Sequence, residues 1–204
     1  MKKKSLIIWG LIALAAIGTT WALTFRHIDH ENTRKAKPLE AQVLVDDTNL
    51  SGKTGTVPYA VAFKNLGESP AFVRFTYTDM WELEKDGKNY LLSPLSKGYP
   101  VATLNWSQEQ RDLWKKGKDG WIYYRRVLEP GQSSASVLDN IVFPNYTGDL
   151  SDYGAADYNL QFTVEMVQAS TSPSTLNSKA LNTKVVQEIF GRQVEIRGEE
   201  VVWR

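Results

Sequence analysis

The sequence has 204 residues, of which 42% are hydrophobic and 23% are charged, and it contains no cysteine. This is the composition of one globular domain with a hydrophobic core, not of a disordered chain. The lack of cysteine excludes a disulfide framework, a thiolate zinc site and a cysteine nucleophile, and a formal net charge of +1 argues against nucleic acid as a partner.

The first 22 residues have the pattern of a secretory signal. Lysines at 2–4 precede an apolar run at 6–17, and the small residue Ala22 ends the pattern. We expect cleavage between Ala22 and Leu23, so that the membrane is contacted only by the signal segment before its removal. The alternative is an uncleaved anchor, because an apolar stretch of this length is close to the minimum for a membrane-spanning helix. In both cases the rest of the chain faces outward. An exported chain without disulfides favours a bacterial envelope, most naturally that of a Gram-positive cell.

Three further regions follow the signal. Residues 23–40 are polar and charged, and they predict an extended arm. Residues 41–169 consist of short β-branched and aromatic runs that are broken by Gly, Pro, Asn and Asp, which is typical of a β-sandwich or barrel. Residues 170–204 predict a Ser/Thr/Pro linker, a helix and a short β segment. We therefore expect a mainly β protein with short helices, preceded by the signal helix. The predicted strands span residues 42–45, 57–65, 71–79, 81–84, 90–92, 121–128, 133–143 and 160–168.

Turn and cap residues predict where several elements begin and end. Asp86 and Gly87 predict a tight hairpin turn, since both tolerate positive φ. Ser107, followed three residues later by a glutamine, predicts the capping box of a short helix that Gly117 ends.

The last 30 residues predict a helix and a hairpin. Apolar residues recur at helical spacing from Leu181 to Phe190, and Gly191 is a natural stop. A terminal hairpin is expected to turn at Arg197 and Gly198. The sequence leaves the role of this segment open, and an extra docking element is one possibility.

Alternation indicates which strand residues face a core. Phe72, Arg74 and Tyr77 follow this pattern in one strand, and Phe162, Val164 and Met166 follow it in another. Large rings occupy both faces of the strand at 121–128. Packing against neighbouring strands is favoured over a ligand platform for these rings. One face has Trp121, Tyr123, Arg125 and Val127, and the other has Ile122, Tyr124, Arg126 and Leu128.

No residue pattern indicates an enzyme or a cofactor. The two histidines, His27 and His30, are spaced three apart on the polar arm, whereas a helical zinc peptidase site needs a spacing of four. With both histidines there, a Ser/His/Asp triad cannot form on the domain. Residues 52–54 resemble the end of a phosphate-binding loop but predict a turn. Calcium binding at Asp149 and Asp152, or at Asp46 and Asp47, is left open. We therefore expect no catalytic residue and no metal ligand.

Two stretches of the sequence, residues 65–74 and residues 119–131, combine Gly and Pro with aromatic and β-branched residues. The first resembles the "NTG…PAYVRV" stretch, and the second the "DGYYYY…VLxPG" stretch, of the TasA and camelysin family of exported biofilm matrix proteins. Residues 18–22 are similar to the site cut by the SipW-type signal peptidase of that family. The resemblance covers about residues 4–169. Its motif residues are Asn65, Gly67, Pro70, Ala71, Val73, Arg74, Asp119, Gly120, Trp121, Tyr123, Tyr124, Leu128, Pro130 and Gly131.

The resemblance implies a jelly-roll-like antiparallel β-sandwich that leaves the cell and assembles into matrix or surface fibres. Its partners would be the SipW-type peptidase during export, and then copies of itself or related subunits. In such fibres an extended arm adds as a strand to the open sheet edge of the next subunit, and residues 23–45 are the candidate donor. A major and an accessory subunit both remain open.

Two other functions are alternatives. The first is a carbohydrate-binding or adhesion sandwich that uses Trp106, Trp114 or Trp121 as exposed rings. The second is a camelysin-type secreted metallopeptidase, which the histidine spacing disfavours.

Overall fold

The computed structural model describes residues 39–45, 50–170 and 176–204. The predicted signal, residues 23–38 of the predicted arm, and residues 46–49 and 171–175 lie outside these ranges. Within them the chain is mainly β, as predicted, and no helix is long and apolar enough to cross a membrane. The helices are α1 Gln108–Leu113, a 3₁₀ helix Gly148–Ala155 and α2 Leu176–Phe190. The strands are β1 Ala41–Val45, β2 Gly55–Pro58, β3 Val61–Asn65, β4 Ala71–Lys85, β5 Lys88–Leu92, β6 Leu95–Ser96, β7 Tyr99–Pro100, β8 Thr103–Trp106, β9 Trp114–Lys116, β10 Ile122–Tyr124, β11 Leu138–Phe143, β12 Asp157–Gln168, β13 Val194–Arg197 and β14 Glu200–Trp203.

The long strand β4 organises the first sheet. It runs without a break through the two strands that the sequence predicts at 71–79 and 81–84. One edge of β4 pairs antiparallel with the whole length of β12, from Ala71 opposite Gln168 to Glu82 opposite Asp157. The other edge pairs first with β10 and then with β5, and β9 lies outside β10. The start of β4 therefore lies inside the sheet.

The second layer is formed by β1, β2, β3, β8 and β11. β11 pairs with β2 on one edge and β8 on the other, and β3 pairs with β1. Residues 133–137, predicted as part of a strand, are not one. The hydroxyls of Ser134 and Ser136 accept the backbone N–H groups of Phe63 and Val61 at 3.0 and 3.2 Å. These hydroxyls take the place of the backbone carbonyls that a paired strand would offer to β3, and serine side chains commonly compete with backbone pairing in this way.

A sandwich-like core fills the space between the two layers. Phe63 stacks on Phe75 with ring centroids 4.8 Å apart, and Trp114 meets both rings edge-on. Phe162 also contacts Phe63 and Phe75. Its strand neighbours Val164 and Met166 are buried in the same core, which confirms the alternation predicted for that strand.

A second, smaller core lies on the opposite face of the first sheet. Phe72 and Tyr123 point into it from β4 and β10, and the C-terminal helix and hairpin cover them with Phe190 and Trp203. Residues 71–75 are consequently all buried. The predicted grouping of Phe72, Arg74 and Tyr77 on one face is wrong, because Tyr77 packs in the main core, two residues along from Phe75.

Most predicted turns and caps are confirmed. Asp86 and Gly87 have φ values of 55° and 70°, in the two-residue turn between β4 and β5. The Ser107 hydroxyl accepts the N–H of Gln110 at 3.0 Å and caps α1. The capping box is only half formed, because the Ser107 N–H donates to the Val137 carbonyl at 3.1 Å. Gly191, with φ of 65°, follows α2, and the terminal hairpin turns at Gly198.

One prediction about an element end and one about the donor segment are wrong. α1 ends at Leu113, before Gly117, because residues 114–116 pair with β10 as β9. The strand predicted at 42–45 is β1, but it pairs with β3 of the same chain. The last five residues of the candidate donor segment 23–45 are therefore already used within the subunit.

Candidate functional site

The two stretches that resemble the matrix-protein family lie side by side. β4 begins in the first stretch, and β10 lies in the second. Ala71 N–H donates to the Leu128 carbonyl at 3.0 Å, and Leu128 N–H donates back at 2.9 Å. Ala71 and Leu128 form an isolated bridge, and further along β4 Phe75 pairs with Ile122 of β10. Motif residues far apart in sequence thus form one continuous region.

Asn65 is fully buried and joins the two stretches at one end. Its Oδ1 accepts the N–H of Gly67 at 2.9 Å. Its Nδ2 donates to the carbonyls of Ser69 and Leu128 at 2.8 and 2.9 Å, and its backbone carbonyl accepts the N–H of Gly131 at 2.7 Å. A side-chain amide supplies both an acceptor and two donors, so aspartate could not replace all of these bonds.

The turn at residues 65–67 forms without left-handed backbone, since none of the three residues has a positive φ. The side chain of Asn65 makes the turn by accepting the N–H two residues along, which is an Asx turn.

Two prolines fix the backbone near Asn65. Pro130 and Gly131 occupy the middle of a turn in which Gln132 N–H donates to the Glu129 carbonyl at 3.0 Å. Gly131 has φ of 76°, and proline followed by a positive-φ glycine is the sequence of a type II turn. Pro70 precedes β4 and restricts the backbone at its entry.

Arg74 is buried in the second core, with 8% of its surface exposed. Its Nε and Nη2 donate to Glu165 Oε2 at 2.8 and 2.6 Å. Its Nη1 donates to the carbonyl of Phe190 at 3.2 Å and to the hydroxyl of Tyr123 at 3.3 Å. Its Cζ lies 4.1 Å from the Trp121 ring centroid and 4.2 Å from that of Phe190. A carboxylate and two ring faces therefore offset the cost of burying the cation.

Asp119 completes this cluster at the surface. The Tyr123 hydroxyl donates to Asp119 Oδ2 at 2.5 Å, and Arg192 pairs with both carboxylate oxygens at 3.2 Å. Desolvation is the largest influence on the Asp119 pKa and raises it. The hydrogen bonds from Tyr123, Arg192 and the backbone together outweigh it and lower the pKa to about 2. Asp119 is therefore ionised at neutral pH.

Two glycines allow the chain to pass closely around Asp119. A Cβ atom at Gly117 would lie 2.3 Å from Asp119 Oδ1 and 2.9 Å from Arg192 Nη2. Gly120 has φ of 83°, which disfavours other residues. Gly117 thus serves close packing and not the end of a helix.

The remaining motif residues are core residues. Val73, Tyr124 and Leu128 are buried between the two layers, whereas Tyr123 and Trp121 pack in the second core. Both faces of the 121–128 segment are therefore used for packing, as the alternation predicts.

The contacts of the Arg74 cluster are those of a structural element that joins the C-terminal segment to β4. Its cations are paired with carboxylates, and its rings cover one another. Sequence analysis identifies Arg74, Trp121, Tyr123 and Asp119, but it misses Glu165, Phe190 and Arg192, which close the cluster from other elements. Phe190 and Arg192 flank Gly191, the glycine that follows α2. Nothing in their local sequence pattern links them to β4.

The metal-site candidates of the sequence lie only partly within the described ranges. Those ranges contain no group of three or more His, Cys, Asp and Glu side chains that could hold a metal ion. Asp149, one of the residues considered for calcium, is ion-paired with Lys97, and this hydrogen bond lowers its pKa. The candidate residues at 27–31 and 46–47 lie outside the described residues.

The three tryptophans considered for carbohydrate binding are buried or half-buried. Trp114 is 4% exposed in the main core, so the expectation that its ring is exposed is wrong. Trp106 packs on Tyr77 with ring centroids 5.0 Å apart, and Trp121 is covered by Arg74. These contacts disfavour stacking on a sugar.

Exposed apolar side chains instead gather on β5 and the short hairpin β6–β7. Leu91 and Tyr99 are about three-quarters exposed, and Tyr90 and Leu95 about half exposed. The sequence signal is the adjacency of Tyr90 and Leu91, because two neighbouring apolar residues in a strand cannot both face one core. We name residues 88–100 the exposed ribbon.

In comparisons with known proteins, no family model and no curated protein matched this chain.

Proposed function

We propose that this chain is an exported subunit of an extracellular biofilm matrix or cell-surface fibre, of the TasA and camelysin type and with a jelly-roll-like sandwich. Three observations support the proposal: the secretory signal pattern, the two motif stretches in family order, and the pairing of those stretches in one sheet. The Arg74 guanidinium already has a carboxylate, a carbonyl and a hydroxyl as partners, which favours a structural role over a catalytic one.

The observation that carries the proposal is the outer edge of β12. Ala71 and Leu128 exchange two backbone bonds, so the odd-numbered residues of β4 direct their N–H and C=O groups away from β12. The even-numbered residues of β4 therefore bond to the odd-numbered residues of β12, which lie opposite them. The backbone groups of the other β12 residues point outward, and no described residue pairs with them. These residues are Tyr158, Leu160, Phe162, Val164, Met166 and Gln168.

A long unpaired edge is suited to accept a strand from another chain. β12 has 12 residues, which at about 3.4 Å per residue is long enough for extensive pairing. β1, an edge of the second layer, comes within 8 Å of part of β12 without a backbone hydrogen bond to it. Adjacent strands lie about 4.8 Å apart, so an added strand fits only along the part of the β12 edge that β1 leaves open. An extended peptide added here would satisfy the outward N–H and C=O groups of β12 by β-augmentation.

Residues 23–40 are the proposed donor, since β1 uses residues 41–45 within the subunit. Cleavage between Ala22 and Leu23 by a SipW-type peptidase would release this arm. Amino-terminal sequencing of the protein recovered outside cells tests that step, and a start at Leu23 is expected.

The polymerisation proposal is tested by comparing chains 23–204 and 41–204 by electron microscopy and sedimentation. We expect fibres or long oligomers from the first chain and loss of these from the second. Identical particles from both chains would contradict the proposal.

A point substitution tests the acceptor edge. Leu160→Pro removes an outward N–H group but no bond to β4, so proline is tolerated at this edge position. We expect Leu160→Pro to shorten or abolish the fibres. Leu160→Ala is the matched control, because it loses the same side chain and keeps the N–H group. Fibres of equal length from both variants would exclude β12 as the acceptor.

A further inference from the structure

The exposed ribbon contains a second unpaired sheet edge, distinct from β12. β5 pairs with β4 on one side, and no described residue bonds to the backbone on its other side. Four of the five residues of β5 are exposed, and Leu92 is half-buried. Exposed apolar side chains on an unpaired edge are the features that promote strand pairing with another chain.

The hairpin turn determines which backbone groups of β5 face outward. Asp86 and Gly87 form a two-residue turn, so Lys85 and Lys88 are a hydrogen-bonded pair. Bonded and non-bonded pairs alternate along the ladder. The N–H and C=O groups of Asn89 and Leu91 therefore point away from β4.

We infer that β5 is a self-pairing edge, at which two copies of this chain join antiparallel around a two-fold axis at Tyr90. In this register Asn89 of each copy lies opposite Leu91 of the other, and these are the residues whose backbone groups face outward. Both outward residues of each strand are thus used. A register centred on Asn89 or on Leu91 would place one such residue opposite itself and would not join Asn89 to Leu91.

The side chains of β5 also fit a second copy. Lys88 is the only charged residue of the strand and would lie opposite Leu92, so no like charges face each other. The two Tyr90 rings would meet at the axis, and cross-strand aromatic pairs are favourable. Leu91, which is 74% exposed, would be covered in part.

The contact is small. A stable interface usually buries about 1,200–2,000 Å² in total, and a five-residue strand pair covers less, with Leu95 and Tyr99 adding to it. The geometry therefore specifies a weak dimer that forms as concentration rises. The dimer does not need residues 23–40, so it is independent of the proposed fibre contact at β12.

The absence of cysteine from the sequence allows a direct test by single-cysteine crosslinking. Residues directly opposite in a non-bonded pair have Cα atoms about 4.5 Å apart, within the range that a disulfide spans. We expect Tyr90→Cys, in chain 23–204, to form a disulfide-linked dimer several-fold faster than Asn89→Cys or Leu91→Cys under the same oxidant.

Sedimentation of proline variants supplies a second measurement. Leu91→Pro removes an outward N–H group without breaking the β4 ladder, so we expect loss of the dimer, with Leu91→Ala retaining more of it. Circular dichroism and thermal unfolding are the controls that test whether both variants fold.

Each outcome bears on one proposal. Dimers from chain 41–204 and from Leu160→Pro support self-pairing independently of the proposed fibre contact. Faster crosslinking at Asn89 or Leu91 would overturn this register. Uniformly slow crosslinking, or a dimer that persists in Leu91→Pro, would overturn self-pairing at β5. Loss of the contact in chain 41–204 alone would identify the arm as the occupant of β5.

Discussion

The two faces of β4 are buried by different chemistry. Towards the second layer, Val73 and Phe75 pack among aromatic and aliphatic side chains. On the other face, Phe72 is joined by Arg74, whose charge is held by Glu165 and by two rings. The first face is stabilised mainly by area removed from water, whereas the second depends on matched partners. The comparison indicates that the main core holds the two β layers together and that Arg74 fixes how the C-terminal segment packs on β4.

The largest expected effect is in the main core. Phe63 is fully buried and contacts Phe75, Trp114 and Phe162. Phe63→Ala should lower the free energy of unfolding by about 3–5 kcal/mol, because it leaves a cavity among rings. Urea unfolding measures this, and Leu91→Ala on the exposed ribbon is the control. A loss below about 1 kcal/mol would mean that the core is less tightly packed than the ring contacts indicate.

A smaller and more local effect is expected at Arg74. Arg74→Ala should cost about 1–3 kcal/mol, since it leaves buried hydrogen-bond partners without a donor and breaks an ion pair that is buried mainly on the arginine side. Hydrogen exchange should show protection lost first in α2 and the β13–β14 hairpin, with β3 affected less. Arg126→Ala, an exposed arginine in the same segment, is the matched control. Equal loss of protection in both cores would contradict the separation of the two faces.

The smallest effect is a dependence on pH at the edge of the second core. The pKa of Asp119 is lowered to about 2 in the folded chain, below the value of about 3.9 for an unperturbed aspartate. Its stabilising contribution is therefore complete above about pH 4 and is lost as pH falls from there towards 2.

Asp119→Asn tests this contribution. The urea midpoints of the natural chain and of Asp119→Asn should differ at pH 6, and the difference should shrink between about pH 4 and pH 2. A difference that stays constant over this range would show that ionised Asp119 does not stabilise the fold.

Local patterns in the sequence determined the elements whose signals are local. Asp86 and Gly87 specify a hairpin turn, Ser107 caps α1, and Gly191 ends α2, because each depends on φ values or bonds within a few residues. The alternation at 121–128 likewise separates side chains into two faces, since successive residues of a strand point to opposite sides.

Features that depend on distant residues could not be read from those patterns. The serine hydroxyls at 134 and 136 replace strand bonds only because β3 lies beside them. Residues 114–116 form β9 because β10 is available to pair, so α1 ends before Gly117. Helix and strand propensities are weak compared with such tertiary contacts.

By itself, then, the sequence determined a cysteine-free, mainly β chain with a signal pattern, defined turns and strands with two apolar faces. The tertiary structure decided what covers each face and which strand edges the described residues leave unpaired. Burial of Arg74 requires Glu165 from β12 and Phe190 from α2, which lie 91 and 116 residues away. Side-chain periodicity reports whether a residue is buried, but only the folded chain brings in the charged or aromatic partner that makes burial of an arginine favourable.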